Sequence, residues 1–146
     1  MDALMKYPGA KWGIAKWIIG FFPEHHSYLE PFLGSGAVLF NKPRSHIETV
    51  NDLDGDVVNL FKWIREDPEK LAYQVYFTPY SRQAHEDAFA GGTEGSLQKA
   101  VNFCIRINMG YWTRTTGEKA GWKNDVQGRE RAYASRDWCR LRGKIM

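Results

Sequence analysis

Two closely spaced glycines set the strongest limit on how this chain folds. The short apolar run Tyr28-Leu29-Glu30-Pro31-Phe32 gives way to Gly34-Ser35-Gly36, and Ala37-Val38-Leu39-Phe40 follows. This is the grammar of a strand, a tight turn and a helix start. The glycines let the backbone come close to a ligand, and a helix start presents free N–H groups beside them. Around this point the pattern alternates. Ile14, Trp17, Ile18, Phe21 and Phe22 recur at helical spacing over Trp12 to Phe22, ending at Pro23. A second strand is predicted over Ile47 to Val50, closing at Asn51-Asp52, and Val57, Leu60, Phe61 and Ile64 give residues 56–66 one apolar helical face. Helix, strand, helix, strand, helix points to an α/β layer with parallel strands and right-handed crossovers.

From residue 67 the pattern turns helical. Asp67-Pro68 is a cap and first-turn pair for a helix to about Phe77, Ser81 can cap another ending at Gly91-Gly92, and Ser96 can cap a third to about Asn108. Residues 109–131 carry Gly110, Gly117, Gly121 and Gly128 without periodicity and read as a long loop or hairpin, followed by a short helix near Ala132 to Arg142.

Composition narrows the class. Of 146 residues, 43% are apolar and 25% charged, so a soluble globular protein is expected. Cys104 and Cys139 have no CxxC spacing and are read as reduced, inert thiols in a cytoplasmic setting. No run reaches the ~20 apolar residues of a membrane span, and the start Met1-Asp2-Ala3-Leu4 lacks a signal-peptide pattern. The net charge of +3 is unevenly spread: residues 1–105 hold 10 Lys/Arg against 13 Asp/Glu, whereas residues 106–146 hold 10 against 4. Tyr111, Trp112, Trp122, Tyr133 and Trp138 interleave with that basic quarter, which suits contact with phosphates as well as a solvated face.

A third glycine of a dinucleotide fingerprint falls at position 39, which is Leu39, so a pyrophosphate site is not supported. Asp52, at the second strand's end, is placed to accept hydrogen bonds from ribose hydroxyls. Asp54 competes for that role, and either carboxylate can instead be a helix cap. His25-His26 has no further ligands nearby and reads as surface.

Taken in order, Lys6-Tyr7-Pro8-Gly9-Ala10-Lys11-Trp12, then Pro31-Phe32-Leu33-Gly34-Ser35-Gly36, then Asn51-Asp52-Leu53-Asp54 form a joint pattern. It continues through Asn108-Met109-Gly110-Tyr111 and the stretch from Arg114-Thr115-Thr116-Gly117 to Asn124-Asp125. This order resembles the DNA adenine methylase (Dam-like) family, adenine-specific DNA methyltransferases that use S-adenosylmethionine. The resemblance implies a partial Rossmann-like methyltransferase sheet with a helical target-recognition insert. Residues 1–66 would form the S-adenosylmethionine-binding part, 67–131 the target-recognition region with its DNA-contacting loop, and 132–146 the start of a return segment. It assigns Tyr7 to stacking near the cofactor, Lys11 to the cofactor carboxylate or its loop, Phe32, Gly34 and Gly36 to the methionine end, and Asp52 to the ribose. Double-stranded DNA would meet Arg114, Lys119, Lys123, Arg129 and Arg131 through phosphates and Asn124 through an adenine edge, while Arg114 could instead read guanine. Tyr111 or Trp112 would fill the gap left by a flipped base. The same resemblance suggests a phage or restriction-modification setting.

The family aligns the adenine amine with an Asp-Pro-Pro-Tyr loop, and that string does not occur in this sequence. Phe77-Thr78-Pro79-Tyr80 has one proline and no carboxylate. The expectation is therefore an amino-terminal portion with no catalytic residues of its own and an incomplete sheet. Such a portion would self-associate or pair with a complementing carboxy-terminal polypeptide; a DNA- or nucleotide-binding module without catalysis is the alternative.

Overall fold

A computed structural model describes residues 3–5, 7–92, 95–111, 121–123 and 134–146, with backbone alone for 134–136. Among these residues the chain is a mixed fold of six helices and one two-stranded sheet. Helix α1 (Ala15–Ile19) leads to β1 (Ser27–Glu30), and β2 (Ile47–Val50) pairs with β1 in parallel, Ser27 opposite Ile47 and Glu30 opposite Val50. Helices α2 (Gly55–Glu66), α3 (Pro68–Phe77), α4 (Arg82–Ala90), α5 (Ser96–Met109) and α6 (Ala134–Ile145) complete the order.

The helix ends follow their local chemistry. Asp67 closes α2 and caps α3, its carboxylate accepting from the Lys70 amide with Pro68 in the first turn. Ser81 Oγ accepts from the Ala84 amide at the start of α4. The expected cap of α5 is corrected. Gly95 occupies that place without a side-chain bond, while Ser96 is already helical, its hydroxyl and carbonyl accepting from Trp63 and Asn59 of α2.

Two expected helices are shorter or irregular. Over Trp12–Phe22 only Ala15–Ile19 is regular, because Gly13 and Gly20 weaken both ends and Trp17 and Phe21 stay exposed where burial would have driven the helix. After Gly36 the chain makes two turns, with Phe40 N–H bonded to the Gly36 carbonyl and Lys42 N–H to the Val38 carbonyl. Pro43 then disfavours helical backbone at Lys42 and ends them.

The core belongs to the helices. Val57 and Leu60 of α2, Leu71 and Val75 of α3, Ala88 of α4, the apolar residues of α5 from Ala100 to Met109, and Trp138, Leu141 and Ile145 of α6 form one buried cluster that also takes in Leu4 and Met5. Helix α6 is fastened to α3 by Trp138 Nε1, which donates to the Thr78 carbonyl, and to the amino terminus by Lys144 Nζ, which donates to the Ala3 carbonyl. Strand β2 is exposed along its whole length and β1 alternates between exposed and half-buried. A parallel pair is ordinarily covered on both faces, so these strands are unlike the layer expected from the alternation. Among the described residues no helix is long and apolar enough to cross a membrane.

Candidate functional site

Both strands end at the same edge, and there the chain turns back on itself. The Leu33 amide donates to the Asn51 carbonyl and the Asn51 amide to the Glu30 carbonyl, which fixes the loop after β1 against the loop after β2. Gly34 and Gly36 both take left-handed backbone angles, φ 50° and 67°, allowed at low cost only to glycine. Asp52 secures this bend: one carboxylate oxygen accepts from the Gly34 amide at 2.7 Å, the other from the Asp54 amide at 2.9 Å. Asp54 caps α2 through the Asp56 amide and accepts from the Tyr7 hydroxyl at 3.1 Å. The two acidic residues left open by the sequence thus divide the work, Asp52 facing the glycine loop and Asp54 the helix.

The amino-terminal segment closes the other side. Trp12 Nε1 donates to Ser35 Oγ at 3.0 Å, and the Tyr7 ring lies against Gly34, where an added Cβ would stand 3.4 Å from the ring. The result is a cleft of about 260 Å³ at the carboxyl ends of the parallel strands, the usual ligand position in open α/β sheets. Tyr7, Lys11, Glu30, Phe32, Gly34 and Asp52 are on its lining. Five of the six residues singled out for a cofactor therefore share one cavity. Gly36 is not on the lining; it faces Phe40 and Phe61, and its lack of a side chain serves that packing.

Glu30 was not singled out from the sequence, although a carboxylate closing a strand before a glycine loop is a visible signal. It accepts from the Tyr28 hydroxyl at 2.8 Å, and burial raises its pKa against the lowering effects of that bond, of the Leu39 amide and of Lys11 and Lys42. Burial, with the Asp54 charge next, also lifts the Tyr7 phenol to about 12. Tyr7 stays a neutral donor at physiological pH. The cleft so carries an ammonium at Lys11 within electrostatic reach of a carboxylate at Glu30, a second carboxylate at Asp52, and two aromatic rings at Tyr7 and Phe32, the latter 78% exposed.

The second set of residues lies past α5. The Tyr111 amide donates to the Gly121 carbonyl at 2.9 Å and the Lys123 amide to the Met109 carbonyl at 2.7 Å, framing an antiparallel bridge between Gly110 and Trp122. The bridge forms the foot of the stretch expected as a long loop or hairpin, whose residues 112–120 lie outside the described ones. Tyr111 is exposed and Lys123 half-buried, with its carbonyl accepting from the Tyr80 hydroxyl. Trp122 packs half-buried against the helical core. Arg114, Lys119, Asn124, Arg129, Arg131 and Trp112 lie outside the described residues.

Comparison with known proteins supplies the family. The D12 class N6 adenine-specific DNA methyltransferase family matches residues 7–114, well over half of the chain. A DNA N-6-adenine-methyltransferase of Escherichia phage P1 is 28% identical over 107 residues, covering 69% of this chain and 14% of that protein. A DNA adenine methylase of Vibrio cholerae serotype O1 is 25% identical over 79 residues, covering 53% of this chain and 28% of its own length. The chain thus matches less than a third of each of these relatives. With the glycine loop, the strand-end acid and the amino-terminal Tyr7–Lys11 segment gathered at one cleft, the chain belongs to the D12 class N6 adenine-specific DNA methyltransferase family.

Proposed function

We propose that this chain binds S-adenosylmethionine in the Tyr7–Asp52 cleft and presents double-stranded DNA for methylation of an adenine amino group. The observation that carries the reading is the convergence of Tyr7, Lys11, Phe32, Gly34 and Asp52 on one cavity at the strand ends. S-adenosylmethionine supplies an electrophilic methyl group on a sulfonium. Each oxygen of Asp52 spends one lone pair on a backbone amide and keeps capacity for a ribose hydroxyl. Lys11 meets the carboxylate of the amino-acid end and Glu30 its ammonium, so the opposed pair selects a zwitterion. The Tyr7 and Phe32 rings flank the cationic or purine part of the ligand.

The hairpin that starts at Tyr111, with its basic residues, is the DNA-reading element, and residues 67–131 are the target-recognition region. No Asp-Pro-Pro-Tyr string is present to accept the amine hydrogens. The β1–β2 pair is exposed, Leu29 to 64%, and offers a face that further polypeptide can cover.

Titration calorimetry with S-adenosylmethionine tests the reading. Binding should be measurable and weakened by roughly 1 to 3 kcal/mol in Asp52→Ala, through loss of charged hydrogen bonds. No binding by the folded wild-type chain, or unchanged affinity in the variant, would remove the cleft from consideration. Single-turnover methylation of duplex DNA with labelled cofactor separates an enzyme from a non-catalytic DNA- or nucleotide-binding module.

A further inference from the structure

We infer that Arg82, in the first turn of α4, is a DNA-phosphate contact held in place by Trp122 at the hairpin base; the inference rests on the DNA-binding reading above. Arg82 stands where a cation is electrostatically disfavoured, because the amino-terminal end of a helix carries the positive end of its dipole and the first turn of α4 has no acidic residue. A helical partner is within reach in sequence: Glu86 lies four residues on, the spacing at which opposite charges pair along a helix. Among the described residues Arg82 makes no ion pair with it or with any other carboxylate. Its guanidinium lies 5.5 Å from the centre of the Trp122 ring instead, and the residue is exposed.

That direction matters because of what surrounds Trp122. Its ring packs 5.8 Å from Tyr80, and the Tyr80 hydroxyl donates to the carbonyl of the adjacent Lys123 at 2.8 Å. Trp122 itself bridges to Gly110 across the hairpin. Three elements, the α3–α4 junction, α4 and the hairpin base, are thereby joined at one point, with the guanidinium over the Trp122 ring. A guanidinium lying on an indole loses little conformational freedom when it binds, and its planar fork of donors matches a phosphate. A backbone contact here would position the duplex against the hairpin without reading its sequence.

The test is the salt dependence of duplex binding, measured by fluorescence anisotropy with two labelled duplexes of unrelated sequence. Wild-type affinity should fall linearly with salt on logarithmic axes, and Arg82→Ala should reduce that slope by about 0.9, the release from one phosphate. At low salt its affinity should drop roughly tenfold or more on both duplexes alike. Arg82→Lys should keep the slope, since the charge remains. Unfolding by urea gives a readout that separates contact from scaffold: relief of the cation at the helix start offsets the lost contact with Trp122, so Arg82→Ala should be close to wild type in stability. An unchanged slope in Arg82→Ala, or a loss of stability with the slope intact, overturns the assignment and leaves the DNA-binding reading standing. A wild-type chain with no salt-dependent affinity for either duplex overturns both.

Discussion

The two glycines of the bend after β1 should respond differently to the same substitution. At Gly36 an added Cβ would lie 2.7 Å and 2.9 Å from two atoms of the Phe40 ring and 3.5 Å from Phe61, at φ 67°. The left-handed backbone costs an L residue about 1 to 2 kcal/mol, and overpacking adds about 1 to 3 kcal/mol. Phe40, half-buried with its ring centre 5.9 Å from that of Phe61, has to shift to make room. Gly36→Ala should therefore destabilise the chain by about 3 kcal/mol. At Gly34 the backbone cost is similar, but the Cβ would meet only the Tyr7 ring, at 3.4 Å, an ordinary contact distance. Gly34→Ala should destabilise by about 1 kcal/mol, and its main effect should be on S-adenosylmethionine, because the methyl group projects between Tyr7 and the loop. Urea unfolding followed by tryptophan fluorescence separates the two: with a slope near 2 kcal/mol per molar, the midpoints should differ by about 1 M. Equal midpoints, or a greater loss in the Gly34 variant, would refute the packing argument.

Two further outcomes follow from burial. Glu30 has its pKa raised chiefly by burial, so the folded state holds a proton there more firmly than the unfolded chain does. The associated stability is present at acidic pH and lost as pH climbs through the raised value. Glu30→Gln should be at least as stable as wild type at neutral pH, with a flatter stability profile across the acidic range, yet bind S-adenosylmethionine more weakly in calorimetry. The cysteines should react unequally: Cys139 is exposed, whereas burial pushes the Cys104 thiol up to about 12. A thiol reagent should label one site on the native protein and the second only after denaturant is added; rapid native labelling of Cys104 would contradict its place in the core.

What could be read from the sequence tracks how local each determinant is. Asp67-Pro68 and Ser81 announce their helices because a cap acts over three or four residues, and both caps form. The parallel pairing of β1 and β2 followed from the alternation, but the absence of a covering layer did not, since burial of a strand depends on what arrives from elsewhere in the chain. Ser96 reads as a cap in isolation; only the approach of Trp63 and Asn59 diverts its polar atoms to α2. At the cleft, Asp52 and Gly34 were legible as a strand-end acid and a turn glycine. The bond between Trp12 and Ser35 was not, because 23 residues separate them and neither belongs to a recognisable spacing.

The positions of core and cleft carry a consequence for how the molecule works. The buried helical cluster takes no residue from the sheet, while the glycine loop has a small apolar footing in Leu33, Ala37 and Val38 and in the Phe40–Phe61 packing at Gly36. Directional polar bonds organise the cleft: Asp52 to two amides, Tyr7 to Asp54, and Trp12 to Ser35. Segments held in this way, near the surface and with few buried apolar contacts, open locally at lower free energy than a packed helical core. A ligand that bridges Lys11, Glu30 and Asp52 joins the three segments that those bonds align, so its binding should stabilise the strand-end loops more than the helices. Amide hydrogen exchange resolves the two regions. Addition of S-adenosylmethionine should slow exchange at Gly34, Ser35 and Asp54 while α5 stays as protected as before, and uniform protection throughout would mean that cleft and core open as one unit.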